Sequence, residues 1–168
     1  MGENEVLRMF LAGQRAAFRS IVDGLDEQQV RAVPSASSMC LAVLVKHAID
    51  GEETMTGRIA GDPPADDPVA RWQSGWRVGD DETLAALLAR WDTVAARTEK
   101  VLAAEDDLDR EVPLPESVRR WMPNEGAYTV RWLVLHELEE LARHAGHGDI
   151  IRESIDGAVG YLGKQRPA

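Results

Sequence analysis

The chain has 168 residues, 44% of them hydrophobic, which suits a single domain around one sizeable core. Its formal charge of −10, with no Lys/Arg stripe to offset it, argues against nucleic acid and membrane surfaces as partners. No apolar run approaches the roughly 20 residues of a membrane span. The opening MGENEVLRMF lacks the basic-then-apolar pattern of a signal peptide, and the single cysteine, Cys40, excludes an internal disulfide, so a cytoplasmic setting is expected.

In chain order, Val6, Met9, Phe10, Ala17 and Ile21 recur at helical spacing and predict a first helix over Glu3 to Gly24. Pro34 and a Ser-Ala-Ser-Ser stretch precede a second start near Ser38, and that helix is expected to run to about Ala60. The Pro/Gly-rich segment over 61–80 holds Trp72 and Trp76 without a regular period and reads as a long loop. Asp81 then caps a third helix carrying Leu84, Leu87, Leu88, Trp91, Val94 and Val101, which breaks in the acidic, proline-bearing stretch from Glu105 to Pro115. The fourth helix is expected from Thr129 to about Asp156, with Gly157 as its stop. No β-alternation competes, so residues 1–168 read as one all-α four-helix bundle.

The chemistry concentrates in LHELEELARHAGHGD of the fourth helix. His136, Glu140 and His144 are spaced four apart and His147 follows three later, so all four share a face beside the core stripe. An acid and an imidazole one turn apart can chelate one ion, whereas His136 and His144, about 12 Å apart along the axis, cannot. His47, in the second helix, can complete a site from across the bundle. The same residues also fit a plainer reading: a hydrogen-bonded core histidine, and a solvated helix face laced with pairs such as Glu139–Arg143. Glu52 projects towards the apolar stripe of its helix, where a carboxylate needs a partner or water, and Cys40 reads as core. Trp72, Trp76 and Trp121 are candidates to cover a pocket mouth, and Arg77, Arg119 and Arg120 candidates to meet a substrate carboxylate.

The strings LVKHAIDGEE and VRWLVLHELEELARHAGHGDIIRESIDG resemble the DinB-like superfamily of metal enzymes, in the branch related to the mycothiol-dependent maleylpyruvate isomerase metal-binding domain. The likeness spans nearly the whole chain, and RHAGH followed by Asp149, Ile151 and Arg152 is its most specific part. It implies an up-down-down-up bundle with His47, Glu140 and His144 as the ligands of one divalent metal. His147 then stands behind the ligands or faces substrate, Glu52 is a candidate for a similar supporting place, and His136 is structural. Zinc is the expected metal, with nickel, iron(II) or manganese fitting the same donors. The resemblance further implies a low-molecular-weight thiol such as mycothiol as co-substrate, and a homodimer.

Two readings of function follow. One is a metal-dependent, thiol-dependent transferase or isomerase acting on a small molecule; the chain ends too early for the isomerases' additional C-terminal domain, so that specific reaction is not carried over. The other is a non-catalytic metal-binding or dimerising bundle that serves as a binding module.

Overall fold

The structure is a computed structural model and describes residues 1–64, 67–120, 128–159 and 164–165. Its helices are α1 (Glu3–Val22), α2 (Glu27–Val30), α3 (Leu41–Ala60), α4 (Pro68–Gly75), α5 (Leu84–Ala103), α6 (Glu116–Arg119) and α7 (Val130–Asp156). A two-residue antiparallel ribbon, β1 (Ala158–Val159) with β2 (Lys164–Gln165), follows α7. The four expected helices are α1, α3, α5 and α7.

Their directions follow from side-chain contacts. Arg8 reaches Glu99 and Arg19 reaches Asp92, so α1 and α5 run antiparallel. Glu82, just before α5, bonds Lys46, while Trp91 and Thr98 bond Glu52 and Thr98 also meets Thr56, so α3 and α5 run parallel. Glu3 pairs with Arg131 and the carbonyl of Ile21 accepts from Arg152, so α1 and α7 are parallel as well. Helix α7 is antiparallel to α3, with His144 beside His47 and Glu137 beside Gly51. The connectivity is therefore up-down-down-up, as expected from the resemblance.

Local chemistry sets the boundaries, and several differ from the sequence reading. Helix α3 starts at Leu41 rather than Ser38, after an extended Cys40 that makes no side-chain cap, while Ser37 accepts from the Met39 N–H in the turn before it. Thr83, not Asp81, caps α5 by accepting from the Ala86 N–H. Thr129 caps α7 through the Trp132 N–H, and Gly157, at φ 78°, closes it in the left-handed region. The expected loop over 61–80 contains α4, started by Asp67 as N-cap and Pro68 in the first turn. Eight residues were too few to show a period against the surrounding prolines and glycines.

Buried positions on α7 include Val130, Val134, Glu137, Leu141, His144, Gly148 and Ile151, alternately four and three apart, the spacing of a core-facing seam. Glu137 and His144 thus occupy core positions. So do Arg15 on α1 and Glu52 on α3. Fully buried Glu52 is satisfied from three sides: Arg15 donates to both its oxygens, at 2.8 to 3.2 Å, the Trp91 indole at 2.7 Å and the Thr98 hydroxyl at 2.7 Å. Glu52 therefore belongs to a layer tying α1, α3 and α5, and among the described residues its hydrogen bonds go to Arg15, Trp91 and Thr98. Cys40 is buried in the core, as read.

Candidate metal centre

His47 on α3 and Glu140 with His144 on α7 bring one donor atom each to within 4.8 Å of one another. Among the described residues no fourth His, Cys, Asp or Glu joins them. His144 is buried and its Nε2 lies 3.3 Å from Glu140 Oε2, while Glu140 stays about one-third open to solvent. The His47 and His144 rings stand edge to face, 4.9 Å apart.

The protonation states suit a cation. Burial, aided by the neighbouring His144, pushes His47 down to about 4, so at neutral pH its imidazole is uncharged and keeps a lone pair. The hydrogen bond from His144 holds Glu140 below the usual carboxylate range, so it is ionised. Two imidazoles and one carboxylate, half-shielded from water, fit a divalent ion with positions left over.

Neighbours orient these donors. His147 Nδ1 lies 3.4 Å from His144 Nδ1, so His147 engages the ring nitrogen facing away from Glu140 and leaves Nε2 to the cluster. Trp76 stacks on His47 with ring centroids 4.0 Å apart and meets His144 edge-on at 5.6 Å. Helix α4 ends at Gly75, directly before that indole. Arg71 pairs with Glu53 and donates to Thr54, while Arg90 of α5 pairs with Asp50 and Glu53, so α4 is pinned over α3. Gly75 lets it lie close, because a Cβ there would stand 3.1 Å from Asp50 Oδ2 and 3.8 Å from His47 Nδ1. Trp76 also lines a cavity of about 790 Å³ with Lys46, Trp72, Gln73, Arg77 and Glu82.

The remaining candidates fall elsewhere. His136 stacks on Trp132 at 4.9 Å and takes no part in the cluster. Arg77 lines the cavity, but Arg119 and Arg120 lie at the end of α6 and do not. Trp121 lies outside the described residues. The sequence reading missed two residues: the support of Trp76 for His47, visible only once α4 is placed, and Glu137. The latter had a signal, since it precedes His144 by seven residues and so lies about 20° from it around the helix.

Comparison with known proteins gives both a family and a fold. Residues 6–157 match the family model described as mycothiol-S-transferase. A solved structure described as the conserved protein of a locus from Enterococcus faecalis superposes with a TM-score of 0.73 at 12% identity, covering 94% of this chain and 99% of its own, a likeness of fold alone. No curated protein matches the chain. Among the described residues no helix is long and apolar enough to cross a membrane.

Proposed function

Because the chain belongs to the mycothiol-S-transferase family, we propose that it is a divalent-metal-dependent transferase joining a thiol of the mycothiol type to a small electrophilic molecule. The observation that carries this reading is the convergence of His47, Glu140 and His144, from two helices, beside an indole-lined cavity. In the transfer the thiol S–H bond breaks, its proton passes to a base or to solvent, a C–S bond forms, and the electrophile's leaving group departs with its electron pair.

His47, Glu140 and His144 would hold the ion, and zinc is the metal their donor set favours, with nickel, iron(II) and manganese compatible. A divalent ion held there lowers the pKa of a thiol beside it, which makes the nucleophile available at neutral pH. His147 keeps the His144 ring turned towards the cluster, and Trp76 does the same for His47. The Trp72 and Trp76 walls give an apolar electrophile a surface, and Arg77 offers a cation to a carboxylate on it.

The test is metal content of tag-free wild type and His144→Ala, followed by mycothiol consumption with a panel of electrophiles. About one divalent ion per wild-type chain, little in the variant, and metal-dependent loss of free thiol is the expected outcome. Metal retained equally by both proteins sinks the ligand assignment. A loaded wild type that leaves the thiol untouched sinks the transferase reading and favours the binding module.

A further inference from the structure

Glu137 has no role in the reading above. It is 6% exposed and, among the described residues, accepts no hydrogen bond and forms no ion pair. Buried carboxyls are rare without partners, because the charged form loses its hydration with nothing in return. Its place is specific. Its oxygens lie against Gly51 of α3, where a Cβ would stand 3.1 and 3.3 Å from them. Gly51 is four residues beyond His47, and Glu137 three before Glu140, so the carboxyl lies one turn from the cluster on both helices that build it. Gly51 leaves open the space that the carboxyl fills.

We propose that Glu137 is the acid–base group of the His47–Glu140–His144 site, exchanging a proton with the nucleophile that the site holds. The inference rests on the metal-site reading. The groups facing Glu137 are Arg15 from α1, Glu52 and, one turn away, His47 from α3, and Glu140 and His144 on α7 itself. Arg15 is shared between Glu52 and Glu99, so its charge only partly opposes the rise at Glu137. Burial pushes the Glu137 carboxyl well above the usual range, and the charges of Glu52 and Glu140 push the same way. With the cluster empty, burial and the two neighbouring carboxylates favour the protonated form of Glu137. A divalent ion held by His47, Glu140 and His144 would favour the carboxylate form, and the Glu137 proton would then pass to solvent. The Glu137 carboxylate, one turn from Glu140, would then be a base able to take the proton of the substrate thiol as its S–H bond breaks.

Two readouts test this on the whole chain. Infrared spectra of the metal-free protein at neutral pH should show the C=O band of one buried protonated carboxyl in the wild type and not in Glu137→Gln, which is isosteric with the neutral acid and should keep the fold. Calorimetric titration with zinc, in two buffers of different ionisation enthalpy, should release about one more proton from wild type than from the variant. No infrared difference between the two proteins overturns the proposal. Zinc uptake with equal proton release overturns the role of Glu137 and leaves the metal site standing. Absence of zinc uptake by both proteins overturns the metal site, and the acid–base role with it.

Discussion

Two polar layers cross the interior of the bundle one above the other, and they are finished in opposite ways. Around Glu52 every donor and acceptor is used: Arg15, Trp91 and Thr98 converge on one carboxylate with geometry that leaves nothing for a ligand. Around His144, two imidazoles and a carboxylate face one another, the carboxylate meeting only the half-exposed Arg143 at 3.6 Å, under an indole at the edge of a cavity. A polar layer completed by its own chain holds helices together. The layer around His144 keeps donors to spare for the ion proposed above.

The largest effects should separate the layers by stability. Glu52→Ala strips a buried guanidinium of its carboxylate and should cost about 3–5 kcal/mol, a fall in Tm of roughly 10 °C for a chain of this size. His47→Ala in metal-free protein should cost about 1 kcal/mol. Thermal unfolding in chelator checks both, and equal losses would break the comparison.

Next comes linkage to metal. Zinc at about a hundred times its dissociation constant should stabilise the wild type by about 2.7 kcal/mol, and chelator should remove the gain. His47→Ala, Glu140→Ala and His144→Ala should show no such gain, and His136→Ala should keep it. Zinc stabilisation that survives in all four variants would place the ion elsewhere.

A smaller effect sharpens the part played by α4. Trp76→Ala removes the ring stacked on His47 and should weaken zinc binding by about tenfold, with the stoichiometry unchanged. Competition against a zinc indicator reads this directly. An unchanged affinity would make the stack incidental to the site.

What the sequence made legible follows from the length of each signal. The four long helices carry buried stripes over 20 or 27 residues, and their period survives a few polar interruptions. Helix α4 has eight residues between prolines and glycines, so its start was hidden, and with it the placement of Trp76 on His47. Spacing and family likeness together pointed to His47, Glu140 and His144, whose donor atoms lie within 4.8 Å of one another. The fourfold histidine spacing, however, drew attention to His136, which stacks on Trp132, and away from Glu137, which shares the core seam with His144. Glu52 illustrates the same limit: an acid on an apolar stripe announces a partner, but only the packing of α1 against α3 and α5 names Arg15, Trp91 and Thr98.

The subtlest prediction concerns Glu137 and pH. A carboxyl whose folded pKa is raised stabilises the native state fully below its unfolded value, about 4.3, and that contribution is lost as pH rises through the folded value. Several other carboxyls pull the opposite way, because Glu53, Glu82, Glu105 and Asp156 are held below the usual range by basic partners and contribute stability that is lost on acidification. The wild-type profile alone is therefore a sum. The difference between metal-free wild type and Glu137→Gln cancels those shared terms and leaves the one group. That difference should run against the wild type as pH climbs from about 4 to 8, and denaturant unfolding at each pH measures it. A difference that stays flat would mean that Glu137 titrates in the bundle as it does in the unfolded chain, and the layer beneath the ligands would hold no stored proton.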